Sequence, residues 1–230
     1  MKNEFIETAN VDKFNAICDE LTDQASLIGP SLAMVTGPAG RGKSEAARWY
    51  ATQTDAIYIP PLNVRSPAMV LREITFELSA MKPVRSETCL GIIGGEMAKE
   101  RRLIIIDEAD LLTMQVLEML RNLNERYACP VLLIGEDELK GRVASRRRIA
   151  SRIRRRMEFG PVTQADVGLF FKRSLDTTLT PDAAALIHRH SNGDWRPILT
   201  TAIAVERAMK SSGVSEITSD LVKNVIKSNS

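Results

Sequence analysis

The chain has 230 residues, 44% of them hydrophobic and 26% charged, which supports a packed core and excludes global disorder. Its formal net charge is only +2, so overall charge does not mark a nucleic-acid binder. Cys18, Cys89 and Cys129 are far apart, odd in number and without metal-ligand spacing, which points to reduced thiols in a cytoplasmic protein. The N-terminal stretch has acids and no apolar h-region, and no apolar run approaches the roughly 20 residues that span a bilayer.

Taken in chain order, Phe14, Ile17, Cys18 and Leu21 recur at helical spacing and predict a helix over Val11–Leu27. Ser31–Thr36 is a short apolar run closed by a glycine turn, and reads as a buried strand. Helix Ser44–Gln53, strand Ala56–Pro60 and helices Ser66–Met81 and Glu87–Lys99 follow. Leu103–Asp107 is a strand apolar at every position before its terminal acid, as expected where both sheet faces are covered. Next come helix Leu111–Tyr127 and strand Val131–Ile134. Glu138–Arg156 reads as a long basic helix or helix pair, and Met157–Phe159 as a short fifth strand. After Pro161 only helices are expected, over Thr163–Leu175, Pro181–His190, Asp194–Ser211 and Ser219–Lys227. The alternation predicts an α/β parallel-sheet domain over residues 1–160 and a small helical lid over 161–230.

Gly37-Pro38-Ala39-Gly40-Arg41-Gly42-Lys43-Ser44 matches the phosphate loop G-x-x-x-x-G-K-[ST], with a strand before it and a helix after it. Its glycines let backbone N–H groups turn toward phosphates, and the helix N-terminus adds a positive dipole end. The expected ligands are ATP and Mg²⁺, with Lys43 on the β- and γ-phosphates and the Ser44 hydroxyl on the metal. Strand Leu103–Asp107 delivers Asp107 and Glu108 to its C-terminal edge, where open α/β sheets bind ligands. Asp107 is expected at Mg²⁺ and Glu108 as the base for attacking water. Taken alone, the pair reads equally as an acidic strand end running into a helix cap, since Asp110 continues it.

Asp107-Glu108-Ala109-Asp110 and the sheet-then-lid order resemble the AAA+ ATPases. Gly193-Asp194-Trp195-Arg196 resembles the sensor-2 segment, which implies a nucleotide-contacting role for Arg196. Arg148-Ile149-Ala150-Ser151-Arg152-Ile153, followed by Phe159 and Pro161, resembles the box carrying an arginine finger, which implies that role for Arg148 or Arg152. On a helix, four residues apart, these two share a face; the alternative is a solvated basic surface. Thr36–Arg41, Ala46-Ala47 with Tyr50, and Leu132–Glu136 resemble the phage transposition protein B and transposon target-selection ATPases. That resemblance implies an ATP-dependent oligomer on double-stranded DNA, slow regulatory hydrolysis, and a transposase as client. The family carries Asn, Thr or Ser after the fourth strand, where this chain has Gly135-Glu136, and an acid there would repel a γ-phosphate, so Glu136 is expected to turn away.

Lys140, Arg142, Arg146 and Arg147 stand in a segment with few acids and suit sequence-independent contacts to phosphate backbone. Arg65, after the second strand, lies where the resembling family has DNA-binding loops. Two other readings stay open at this point: a helicase loader or initiator, and an ATP-controlled protein-docking switch without DNA.

Overall fold

A computed structural model of the chain describes residues 1–2, 4–23, 28–61, 66–212 and 216–229. The element order is α1 (Ala9–Thr22), β1 (Leu32–Thr36), α2 (Lys43–Gln53), β2 (Ile57–Ile59), α3 (Pro67–Ser79), α4 (Ser86–Lys99), β3 (Ile104–Ile106), a 3₁₀ turn (Ala109–Leu111), α5 (Met114–Tyr127), β4 (Val131–Gly135), α6 (Glu138–Ala144), α7 (Arg147–Ala150) and β5 (Ile153–Glu158). The strands stop there, and α8 (Gln164–Leu175), α9 (Pro181–Ser191), α10 (Trp195–Ser212) and α11 (Ser219–Asn229) complete the chain.

The five strands form one parallel sheet in the order β2-β3-β4-β1-β5. β1, β3 and β4 are buried at every position, because helices cover both faces of the sheet centre. On one face Leu32, Met34, Ile104, Ile106, Val131 and Leu133 pack with apolar residues of α3, α4 and α5. Elsewhere in the same unit, Phe14 meets Tyr50 and Phe159 edge-on, with ring centroids 6.2 and 6.4 Å apart.

The chain divides into two compact units. One comprises Val11–Pro38 and Lys43–Phe159; the other comprises Met1–Asn10, Ala39–Gly42 and Gly160–Ser230. The second has its own core, in which Val167, Phe171, Ile187, Ile198, Val205 and Val222 are fully buried. Its helices start on defined caps: Thr163 and Asp166 form a reciprocal capping box on α8, and Thr180 accepts from the Ala183 N–H at the start of α9, followed by a proline.

The basic segment Glu138–Arg156 begins as the expected helix pair but ends in a strand. α6 ends at Ala144, α7 is one turn long, and the chain turns at Ser151-Arg152 into β5. Arg154, Arg155 and Arg156 therefore lie on an edge strand. Ile153 and Met157 are its buried residues, while its arginines are exposed or half-buried, a pattern suited to a sheet edge guarded by charge. The expected helix Leu111–Tyr127 is likewise divided, because Thr113 accepts from the Val116 N–H and starts α5 at Met114. Of the expected helix Val11–Leu27, the part past residue 23 lies outside the described residues, as does Arg65.

Candidate nucleotide site

β1 ends at Thr36 and the chain passes through Gly37–Gly42 before α2 opens at Lys43. The backbone takes positive φ at Gly40 (75°) and Gly42 (98°), where a side chain would be strained. Each also faces a close neighbour. A Cβ on Gly40 would lie 2.0 Å from Asp194 Oδ1, and one on Gly42 would lie 3.2 Å from the Trp195 indole. The loop apex is bonded to the residues that open α10: the Trp195 N–H donates to the Gly40 carbonyl at 2.9 Å, and Arg41 donates to the Asn192 carbonyl at 2.7 Å. Arg41 is thus engaged by the helical residues. Pro38 is exposed and Ala39 half-buried.

Lys43 is 8% exposed, and its ammonium donates to the carbonyls of Gly37 at 2.6 Å and Pro38 at 2.8 Å. Among the described residues no carboxylate reaches it within ion-pair distance. Burial pulls its pKa below the usual lysine range, against the opposing fields of Glu136, Asp107, Asp110 and Asp137. A desolvated cation held only by carbonyls, in a glycine cradle at a helix N-terminus, fits the phosphates of a nucleotide. Ser44 follows as the second residue of α2, half-buried.

Asp107 leaves β3 buried at 5% exposure, with both carboxylate oxygens engaged. Oδ1 accepts from the Glu108 N–H at 2.9 Å and Oδ2 from the Tyr58 hydroxyl at 2.7 Å. Glu108 sits in the left-handed region, φ 48° and ψ 42°. That conformation costs a non-glycine residue about 1–3 kcal/mol and is characteristic of functional turns. It leaves the Glu108 carboxylate exposed. Asp110 reaches across to β4, where its Oδ1 accepts from the Glu136 N–H at 3.0 Å. Glu136 is exposed, and its field is among those that oppose the effect of burial on Lys43.

The expected arginines separate. Arg196 is exposed in the first turn of α10, with its N–H capped by Asp194 Oδ1 at 2.8 Å. Arg148 lies on α7, exposed, and its guanidinium has no partner among the described residues. Arg152 lies beyond that helix and pairs with Glu125 at 2.6 Å, so the two do not share a helical face. Arg142 is not free either: both its terminal nitrogens donate to the backbone carbonyls of Asp110 and Leu112. Lys140 bridges Asp137 at 2.8 Å and Glu158 at 2.9 Å. Arg146 and Arg147 are exposed and unpaired among the described residues.

Comparison with known proteins places this geometry. A family model described as an AAA domain matches residues 28–143. The chain belongs to the AAA domain family. Among curated relatives of this AAA domain, the ATP-dependent target DNA activator B of Escherichia phage Mu is 31% identical over 146 residues, covering 60% of this chain and 47% of that protein. The Mu-like prophage FluMu DNA transposition protein B of Haemophilus influenzae is 29% identical over 142 residues, covering 60% and 48%. The chain spans about half the length of these relatives. Among solved structures, the RuvB Holliday junction branch migration motor of Thermotoga maritima matches with a TM-score of 0.66 at 21% identity, over 97% of this chain and 70% of that one. The ORC2 protein of Aeropyrum pernix matches with a TM-score of 0.70 at 14% identity, over 99% and 70%. These two likenesses concern the fold: a P-loop AAA+ sheet of five parallel strands with helices. Membership of the family implies nucleotide binding. Among the described residues no helix is long and apolar enough to cross a membrane.

Tyr58 carries no motif signal, and nothing local in the sequence announces the bond that Asp110 makes. Both roles depend on which strands are neighbours, and strand order is not written in local sequence.

Proposed function

We propose that this AAA domain binds ATP with Mg²⁺ on Gly37–Ser44, assembles with copies of itself on double-stranded DNA, and presents that DNA to a transposase. One observation carries the reading: buried Lys43, without an ion pair among the described residues, stands in a glycine cradle within the electrostatic reach of Asp107. On arrival of the nucleotide, Lys43 exchanges its two carbonyls for phosphate oxygens, a charge-assisted and stronger set of bonds. Ser44 and Asp107 would hold Mg²⁺, which supplies charge neutralisation on the phosphates. Glu108, exposed and without a side-chain partner among the described residues, takes the proton of the attacking water. Arg148, unpaired on the surface, is the better-placed finger for a neighbouring copy, and Arg196 opens α10 as a lid contact. The DNA and transposase parts of the proposal draw on the relatives' names, target DNA activator and DNA transposition protein, and on the unpaired Arg146 and Arg147. Hydrolysis would act as a timer that releases the assembly.

Light scattering and electron microscopy with duplex DNA, with and without a non-hydrolysable ATP analogue, test this. Assembly is expected to need nucleotide, and duplex is expected to extend it. Lys43→Ala should fail to assemble, and Glu108→Gln should assemble and persist without phosphate release. Absence of DNA binding with or without nucleotide would sink the proposal and leave a docking switch, and DNA binding that ignores nucleotide would sink it in favour of a loader.

A further inference from the structure

The turn between β3 and α5 carries a third carboxylate whose apparent purpose, read from sequence, is to cap the following helix. It does not do so: Thr113 caps α5. Asp110 instead extends its side chain to the exit of β4. Its Oδ1 accepts from the backbone N–H of Glu136, the first residue beyond the strand, at 3.0 Å. A carboxylate accepting from an amide is a charge-assisted bond, stronger than a neutral one.

The residue before that amide is shaped to admit the carboxylate. A Cβ on Gly135 would stand 2.4 Å from Asp110 Oδ1 and 3.1 Å from the Asp110 backbone nitrogen. Gly135 does not have positive φ, so the absence of a side chain serves close approach and not backbone freedom. Asp110 is itself held from behind. Arg142, on α6, donates from its two terminal nitrogens to the carbonyls of Asp110 and Leu112. The Leu111 N–H returns to the Glu108 carbonyl at 3.0 Å, so the turn that carries Asp110 is the turn that begins at Glu108. Three segments therefore meet at one residue: the Asp110 side chain holds the β4 exit, and Arg142 of α6 holds the backbone of the acid turn.

We infer that Asp110 is a positioning residue that locks the β4 exit, Gly135-Glu136, to the turn bearing Glu108, with Arg142 as its brace. The β4 exit and the Glu108 turn then move as one piece. The kinetic half of this inference rests on the reading that the site hydrolyses ATP; the structural half does not. Arg142 accordingly works as a brace within the protomer, and the lock explains why this chain has glycine at the strand exit.

The test uses the full chain and two readouts. Hydrogen–deuterium exchange of the peptide containing the Glu136 amide reads the lock, and steady-state ATP hydrolysis reads its consequence. Asp110→Ala should raise exchange at Glu136 and lower kcat by roughly 10- to 100-fold, the scale of a small misplacement of reacting groups, while KM stays within about twofold. Asp110→Asn keeps an acceptor oxygen and should restore both readouts to within a few-fold of the parent. Gly135→Ala leaves Asp110 in place but pushes a methyl group into its oxygen. It should reproduce the Asp110→Ala pattern, and it serves where Asp110→Ala loses its native circular-dichroism spectrum. Unchanged exchange in both Asp110→Ala and Gly135→Ala overturns the inference. So does an Asp110→Asn protein that protects Glu136 yet is as slow as Asp110→Ala, because the charge would then act in the chemistry. A parent protein that binds ATP but releases no phosphate would refute hydrolysis alone, and the exchange pattern would still decide the lock.

Discussion

At Asp107 the two oxygens of one carboxylate have separate partners, the Glu108 N–H and the Tyr58 hydroxyl. Burial first, and then the bond to Asp107, push the Tyr58 hydroxyl well above the usual phenol range. Tyr58 therefore remains a donor at any working pH and fixes the plane of the carboxylate. A hydrogen bond to a charged group contributes about 1.5–3 kcal/mol to stability, of which only the part that orients the carboxylate reaches the metal. Tyr58→Phe should accordingly raise the Mg²⁺ concentration for half-maximal ATP hydrolysis by roughly two- to tenfold, with little change in kcat at saturating metal. A Mg²⁺ titration at fixed ATP checks this. A lower Mg²⁺ requirement would show that the phenol competes with the metal instead of aligning its ligand. Sequence placed Tyr58 on a strand but assigned it no role. The bond exists because β2 pairs with β3 in a register that sets Tyr58 beside Ile105, two residues before Asp107.

At the scale of elements, the legible parts were those whose signal is local. The phosphate loop is a contiguous motif whose glycines must adopt positive φ. β1, β3 and β4 are short apolar runs that only a doubly covered sheet accommodates. The illegible part was the basic segment, because its many arginines mask the buried Ile153 and Met157 that make Ile153–Glu158 a strand. That difference matters for the finger. With α7 ending at Ala150, Arg148 and Arg152 stand in different surroundings, one unpaired among the described residues and one bonded to Glu125. An exposed pair of the second kind is worth only about 0–1 kcal/mol, and it leaves Arg152 partly committed within its own protomer. Arg148→Ala should therefore keep monomer ATP binding but lose most hydrolysis and assembly, while Arg152→Ala is milder. Mixing Arg148→Ala with Lys43→Ala protein should restore some turnover, because each supplies the half-site the other lacks. Phosphate release measured across mixing ratios checks this, and a flat response would place the finger elsewhere.

At the scale of the whole molecule, a net charge of +2 hides a locally basic segment, and much of the charge in that segment is already engaged. Within the segment from Lys140 to Arg156, Lys140 pairs with Asp137 and Glu158, Arg142 with two carbonyls, Arg152 with Glu125, Arg154 and Arg155 with Glu20, and Arg156 with the Ala150 carbonyl. What remains exposed and unpaired among the described residues of that segment is the run Arg146-Arg147-Arg148. On the proposed function, this segment of one protomer would offer little to a duplex, useful affinity would come from several protomers in a row, and binding should need ATP. Arginines on a phosphate backbone release counterions, so log K should fall linearly with log salt, by about 0.9 for each phosphate neutralised. Random and defined duplexes should bind alike, because backbone contacts carry no base information. Arg146→Glu with Arg147→Glu should weaken binding equally across sequences and make the salt slope shallower by about 0.9 for each phosphate that is no longer neutralised. ATP affinity should be unchanged, since neither residue belongs to the phosphate loop. A fluorescence-anisotropy salt titration run beside light scattering of the ATP-bound protein separates DNA binding from self-assembly. Loss of scattering without DNA in the double variant would make this run an interface between copies, and a salt slope equal to the parent's would move the DNA surface off α7 altogether.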